Sequence, residues 1–361
     1  MTRVTLVGCG VVGAAIAYDL SQFPDLEVRV LDRQPPAQAS TGAALGVLMG
    51  AISTKTRGNN LQMRLNSIQR YNEWVPRLEA ESDRPLLYNR CGILRLCFEG
   101  EDLEFWHKLA AVRQAQGWRL EILDHAQLAA SYPQIALDAL SAAIYSPDDR
   151  QVDPVALVLA LVKAAIQQGA GFQFDTEVLG AQVQDDQKIL LQTTRGAIAT
   201  DWLVIAAGLG STRLTQALQQ PVDIRPVLGQ AVQVRLEQPL GWAGQQPVIT
   251  GKDVHLVPVG DAEYWIGATV EFTSAAQTSP TADPIALEAV MQQAIALCPA
   301  LKNAEILRSW SGLRPRPEGR PAPIIELLPG FQKVLLAAGH YRNGVLLAPA
   351  TAEAVRRAVL G

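Results

Sequence analysis

The sequence predicts a mixed α/β (α+β) fold in which a parallel-sheet domain, assembled from discontinuous segments, carries an inserted antiparallel-sheet domain. Three observations predict it. A strand, a glycine-rich turn, a helix and a second strand follow one another within residues 3–32. Residues 229–270 break into short apolar or alternating runs between Gly, Pro and Asp turns. The chain then closes on an apolar strand and a helix that return to the first pattern. With 361 residues there is room for two domains. The order of segments assigns 1–85, 145–222 and 308–361 to the parallel-sheet domain and 86–144 and 223–307 to the inserted one.

Residues 3–7 are apolar and β-branched, the pattern of a buried strand, and 11–21 place Ala and Ile on the packing face of a helix. A second short strand at 28–31 ends at Asp32. Residues 40–49 are small, Gly-rich and apolar, a composition suited to a loop or helix start close to a large ligand. Helical periodicity returns over 60–81 and 103–116, with a strand at 92–98 between them. A helix at 154–168 precedes strands near 171–174, 177–184 and 189–194 and the strongly apolar 202–206. The antiparallel stretch offers strands at 230–236, 255–259 and 264–268. A helix over 284–296 leads to a Pro/Arg-rich loop at 313–323, a strand at 333–337 and a closing helix from Ala350.

Composition narrows the function classes. Hydrophobic residues make up 48% and charged residues 18%, enough apolar surface for a sizeable core. The net charge of −4 comes with no block of Lys or Arg, so nucleic acid is not an expected partner. Cys9, Cys91, Cys97 and Cys298 show neither CxxC spacing nor a paired framework, which predicts a cytoplasmic setting and no metal site. The apolar run to Ala17 is split by Gly8, Gly10 and Gly13, as in a folded unit rather than a signal peptide. No stretch approaches the ~20 apolar residues of a membrane span.

The motif with chemical content is Gly8-Cys9-Gly10-Val11-Val12-Gly13, a GxGxxG that follows a strand and opens a helix. Its glycines permit a tight turn, close approach of backbone to a pyrophosphate and close helix–strand packing, and the helix N-terminus favours phosphate charge. Asp32 ends the next strand about 20 residues on, where a carboxylate accepts hydrogen bonds from an adenosine ribose. The arrangement is Rossmann-like, and an acid at that place argues against a 2′-phosphate. By itself it does not separate NAD from FAD. Residues 202–208 run from a buried strand into Ala207 and Gly208, which lets backbone pass close to a second part of a cofactor.

Four further segments, Ser40-Thr41-Gly42-Ala43-Ala44-Leu45-Gly46, Arg225-Pro226-Val227-Leu228-Gly229-Gln230, Trp310-Ser311-Gly312-Leu313-Arg314-Pro315 and the eleven residues from Gly339 to Pro349, complete a pattern spanning nearly the whole chain. With them the sequence resembles the D-amino acid oxidase superfamily of flavoenzymes, most closely the glycine oxidases of thiamine biosynthesis. The resemblance implies a non-covalently bound FAD. It assigns to the cofactor site Gly8, Gly10, Val11, Val12, Gly13, Asp32, Arg33, Ser40, Thr41, Ala44, Leu45, Gly46, Val178, Ala207, Gly208, Gly312, Arg314, His340, Tyr341, Arg342, Asn343, Gly344, Val345 and Leu346. In this assignment the main chain at Val178 meets the adenine. The segment from Gly339 to Leu346 wraps the flavin ring, its N–H groups stabilising negative charge there.

The same resemblance implies oxidation of the C–N bond of a small amino acid or amine by hydride transfer to flavin N5, giving an imino acid, with oxygen or another electron acceptor closing the cycle. A homo-oligomer is implied on the same ground. Arg314 and Arg342 face the substrate carboxylate, where a planar guanidinium can hold two oxygens. Arg342, inside the flavin-wrapping segment, is expected to be the stronger ligand. The sequence departs from the pattern at four places, the first two of them in the pocket. His255 replaces a tyrosine before Val-Pro, Val270 a methionine, Leu228 a basic residue and Glu326 a glycine. They predict a substrate different from, or broader than, glycine. His255 is a candidate for orienting or polarising that substrate, with a structural role as the alternative. Cys298 lacks the setting of a covalent flavin link. Rival readings are a D-amino acid or proline-type dehydrogenase passing electrons to a quinone or carrier, an NAD-dependent dehydrogenase, and an inactive flavin-binding protein.

Overall fold

The computed structural model describes residues 1–82, 85–184, 188–242, 244–260, 262–272 and 282–361. One six-stranded sheet has the order Ile324–Leu327, Val334–Ala338, Trp202–Ile205, Thr2–Val7, Leu26–Leu31, Gly171–Gln173. The first pairing is antiparallel and the other four are parallel. The strands come from the two ends and the middle of the chain, so the discontinuous parallel sheet is as predicted. Strands Trp202–Ile205 and Val334–Ala338 read as unbroken apolar runs because both faces of the sheet are covered there. Val4, Leu6, Val204 and Ile205 are wholly buried.

Helix Val11–Ser21 is buried along nearly all its length and packs against helices Pro154–Gln167 and Gly344–Leu360. Small side chains make that possible. Asp19, its one acid, is buried and held by Arg70 at 2.5 Å and Arg356 at 2.9 Å, which ties helix Asn59–Ser82 and the C-terminal helix to the first. Asp153 accepts from Val155 N and Ala156 N to cap the helix at Pro154, a proline-first start.

A second sheet of nine strands is antiparallel apart from one parallel pairing. Ile224–Arg235 lies between Glu305–Pro317 on one side and Glu263–Gly267 with Glu271–Phe272 on the other. The sheet continues through Val254–Gly260, Val248–Gly251, Ile93–Phe98, Leu140–Ser146 and Glu121–Leu123. Glu305–Pro317 runs through the expected division at 308 and carries the chain back toward the parallel sheet.

Two expected elements are corrected. Residues 313–317, expected as loop, continue strand Glu305–Pro317. Pro315 stands opposite Pro226, so both missing donors fall on one rung, and the strand is the sheet's edge, where proline is tolerated. The closing helix begins at Gly344, six residues before Ala350. Gly344, taken as flavin loop, is its first residue, and Pro349 lies inside it, where Tyr71 Oη donates at 2.5 Å to Val345 O, the carbonyl that a prolyl nitrogen cannot serve. Among the aromatics read as packing, Tyr264 is buried and Trp265 meets Trp310 edge to face at 5.9 Å, whereas Trp242 is exposed.

Candidate active site

A cleft of about 1210 Å³ is lined from both sheets, more than the about 300–1,000 Å³ of an ordinary ligand pocket. At one end lies the glycine turn. Gly8 has φ 110, and a Cβ there would sit 2.5 Å from Ala206 O, so the turn needs a residue without a side chain. Gly10, Val11 and Val12 bring the N-terminus of helix Val11–Ser21 to the cleft, and Val11 N donates to Thr41 Oγ1 at 3.0 Å. Asp32 Oδ2 accepts from Cys9 N at 2.6 Å and Oδ1 from Gln34 N at 2.9 Å. Two backbone donors thus orient a carboxylate that keeps lone pairs for a diol. Thr176, Glu177 and Val178 close this end, and Ala207 and Gly208 continue the wall.

The middle is built by close approach. Ser40 Oγ donates to Leu313 O at 2.6 Å and Trp310 Nε1 to Ala43 O at 3.2 Å. A Cβ at Gly312 would lie 2.2 Å from that of Ala43. The turn Ser40–Ala43 is therefore seated directly on strand Glu305–Pro317. Ala44, Leu45 and Gly46 follow along the wall.

The far wall is the segment from Gly339 to Val345. Gly339 and Tyr341 both have positive φ, 67 and 53, and a non-glycine in that region is backbone strain of the kind that collects at functional turns. Helix Gly344–Leu360 starts here, so a second helix N-terminus with its unpaired N–H groups meets the cleft. His340 lines the cleft, but its Nε2 lies 2.9 Å from Thr351 Oγ1, whose hydroxyl donates to Leu347 O. Nε2 therefore carries the proton and the imidazole braces the helix.

Burial lowers the His340 pKa from 6.5 to about 4. Its folded value lies below its unfolded value, so its contribution is fully present above pH 6.5 and is lost as the pH falls toward 4. At pH 4.5 this costs about 2–3 kcal/mol relative to pH 7. His340→Gln keeps a donor for Thr351 and removes the titration. Urea unfolding at the two pH values should show a smaller stability difference in the variant by that amount, and an identical difference would mean that His340 titrates normally.

Of the residues expected to hold a cofactor, all but Gly13 and Leu346 line the cleft. Gly13 lies behind the turn. A Cβ on it would be 1.9 Å from Gly8 O, so its place is in helix–strand packing. Leu346 is buried in the core. Cys298 is wholly buried in the core behind the antiparallel sheet, away from the cleft.

Arg314, Arg342 and His255 come together on the antiparallel-sheet side. Arg314 Nη1 donates to Leu228 O and Thr269 O, both at 3.0 Å, and the guanidinium lies against Gly229, where a Cβ would strike it at 2.2–2.4 Å. No carboxylate bridges it among the described residues. Burial and then the charge of Arg342 push its pKa down. Arg342 is 45% exposed; among the described residues it pairs with Asp253 at 3.9 Å, itself 88% exposed, and lies over the Tyr341 ring at 5.6 Å. Water screens Arg342 more than Arg314. His255 lines the cleft with its Nδ1 buried and unpartnered among the described residues. Burial, Arg342 and Arg314 together lower its pKa to about 4 against a smaller opposite pull from Asp253, so the ring is neutral at neutral pH.

The sequence reading missed Ile52, Ser53 and Thr54, which line the cleft, and Arg64, which also lines it and donates to Met49 O and Asn343 Oδ1 at 2.9 Å each. No motif marks them. Arg64 sits in the polar pattern of an amphipathic helix and looks like a surface residue in one dimension.

A glycine turn that tolerates no Cβ, an oriented Asp32 and two helix N-termini around one long cleft fit a dinucleotide with a substrate beside it. The bifunctional protein ThiO/ThiG of Synechocystis sp. is 33% identical over 99% of this chain and 51% of its own length. The chain spans about half the length of the bifunctional relatives it matches. Glycine oxidase of Geobacillus kaustophilus is 29% identical over 96% of this chain and 90% of its own. The crystal structure of glycine oxidase from Geobacillus kaustophilus matches with a TM-score of 0.89 at 28% identity, covering 100% of this chain and 95% of that one. An L-proline dehydrogenase from P. horikoshii shares the fold, with a TM-score of 0.85 at 21% identity and coverage of 99% and 93%. The family model described as FAD dependent oxidoreductase, DAO, matches residues 3–358, and the chain belongs to this DAO family of FAD-dependent oxidoreductases.

Proposed function

We propose that the protein oxidises the carbon–nitrogen bond of a small amino acid or amine, with Arg314 and Arg342 receiving the substrate carboxylate. The observation that carries this reading is Arg314. It is a partly buried guanidinium on the cleft wall, aimed by two backbone carbonyls and lacking an acidic partner among the described residues. A buried cation without a counter-ion is costly, and a carboxylate ligand supplies one. When bound, FAD supplies the two-electron acceptor for the hydride on the substrate's α-carbon.

The side chains of this chain orient and stabilise. The guanidinium fork fixes the carboxylate and hence the α-carbon, and the N–H groups at the start of helix Gly344–Leu360 face negative charge at the ring. His255, neutral at pH 7, hydrogen-bonds rather than transfers a proton. A substrate entering as free amine needs no further base. Val270 and His255 both line the cleft, which supports a substrate range different from, or broader than, that of the glycine oxidases among its relatives. The four unpaired cysteines support a cytoplasmic setting. No described helix is long and apolar enough to cross a membrane.

The test is anaerobic bleaching of the flavin by glycine, sarcosine, D-amino acids and proline, each paired with the amine that lacks its carboxylate. Bleaching by the amino acids and not by the bare amines is expected. Equal rates for both members of each pair would remove the carboxylate reading. Rapid return of colour in air identifies oxygen as the acceptor.

A further inference from the structure

We propose that Asp149 and Arg113 form a two-sided clamp that fixes residues 49–55 as the substrate-side wall of the cleft, and that they are positioning residues for substrate although neither reaches the cleft. The inference rests on the amino acid oxidation proposed above.

Both side chains are fully buried. Asp149, in the turn between strands Leu140–Ser146 and Arg150–Val152, accepts from three consecutive backbone donors. These are Gly50 N at 2.6 Å, Ala51 N at 2.8 Å and Ile52 N at 2.8 Å, and Ser146 Oγ adds a fourth bond at 2.8 Å. Arg113, on helix Leu103–Ala115, donates to Ala51 O at 2.8 Å, Ser53 O at 2.8 Å and Lys55 O at 2.5 Å. The carboxylate gathers the N–H groups of the loop and the guanidinium gathers its carbonyls. The two charges are separated by the peptide dipoles they align.

The loop's position matters because of what its side chains meet. Met49, Ile52, Ser53 and Thr54 line the cleft, and Ile52 belongs to the same apolar cluster as Ala231 and Val257 of the antiparallel sheet. That is the side on which Arg314 and His255 stand. Arg64 links Met49 O to Asn343 and so ties the loop to the opposite wall. Gly50 leaves no slack, since a Cβ there would be 2.6 Å from Ile68 Cγ1 and 3.2 Å from Asp149 Oδ1.

Buried backbone groups of an irregular segment must find partners. Burying two ions to provide them carries a desolvation penalty that a neutral side chain would avoid. A loop at the surface could use water instead. The arrangement suits a wall that must stay dry and fixed while substrate comes and goes.

The test uses the FAD-loaded enzyme and three variants, Asp149→Asn, Arg113→Lys and Ser146→Ala. Acetate, a minimal carboxylate, is the probe, with binding read from the flavin spectrum. Steady-state oxidation of sarcosine gives KM and kcat, and hydrogen exchange reports the amides of residues 50–52. Asp149→Asn replaces an acceptor by a donor and is expected to weaken acetate by roughly tenfold or more. It should raise KM more than it lowers kcat, and speed exchange at 50–52, at unchanged FAD content. Arg113→Lys, which keeps charge but loses the fork, and Ser146→Ala, which removes one of four bonds, shift the same quantities less. If Asp149→Asn does not fold, these two milder variants decide. Unchanged acetate affinity and KM in variants that merely lose thermal stability or FAD would reduce the clamp to a structural role and overturn the proposal. Wild-type enzyme that binds no acetate and is reduced by no amino acid would instead overturn the reading on which it rests.

Discussion

Arg314→Leu lowers kcat/KM for an amino acid by about 30- to 1,000-fold, the equivalent of about 2–4 kcal/mol for removing one partner of a desolvated, hydrogen-bonded charge pair. The guanidinium is held by Leu228 O and Thr269 O and is packed against Gly229. Its geometry is therefore set before substrate arrives, and little ordering entropy is left to lose on binding. Arg342→Leu is the milder variant. Its side chain is 45% exposed, and solvent screens whatever carboxylate it meets. Arg314→Lys separates charge from shape, because it keeps the cation and loses the planar fork. Steady-state kinetics with an amino acid and with its bare amine decide the matter. The loss in Arg314→Leu should be confined to the amino acid, with FAD still bound in full. A larger loss in Arg342→Leu would restore the ranking expected from its place in the flavin-wrapping segment.

Gly13→Ala is expected to strip the protein of FAD although Gly13 does not touch the cleft. The added Cβ would lie 1.9 Å from Gly8 O, against 3.4–4 Å for an ordinary contact. The obstacle is backbone and cannot rotate aside. The helix must move by more than 1 Å from a strand it packs on, and it is hemmed in by helices Pro154–Gln167 and Gly344–Leu360. Overpacking of this kind costs about 1–3 kcal/mol, or roughly 2–10 °C in Tm. The same movement carries the N-terminus of helix Val11–Ser21 away from the phosphate position. Gly171→Ala is the comparison, since it lies in the six-stranded sheet outside the cleft and its Cβ meets only Val28 O, at 4.0 Å. Flavin absorbance per chain and thermal unfolding read both effects. Wild-type flavin content and Tm in Gly13→Ala would show that the helix has room the close approach denies.

The local elements were legible where periodicity and punctuation agree. Helix Val11–Ser21 and strand Val254–Gly260 could be placed within a residue or so because each is an apolar run bracketed by glycine or polar residues. Strand Leu140–Ser146 could not, since Leu-Ser-Ala-Ala-Ile-Tyr-Ser has the composition of either element until a partner strand is supplied. The Pro- and Arg-rich end of Glu305–Pro317 misled for the opposite reason. Proline content reports local preference, whereas the rung shared with Pro226 is a fact about pairing.

By itself the sequence determined the glycine-turn end of the cleft, because that turn, a helix start and Asp32 come together within one βαβ unit whose geometry is local. It also named Arg314, Arg342 and His255, through motifs that lie far apart in the chain. Tertiary structure alone decided how those three share a pocket. Burial and the neighbouring guanidiniums hold His255 uncharged, Arg342 is left half exposed, and two backbone carbonyls aim Arg314. It alone brought Asp149 and Arg113 to opposite sides of residues 49–55. Desolvation and charge–charge distance depend on what surrounds a group in space, and that is assembled from segments as far as 279 residues apart in a chain whose order records none of it.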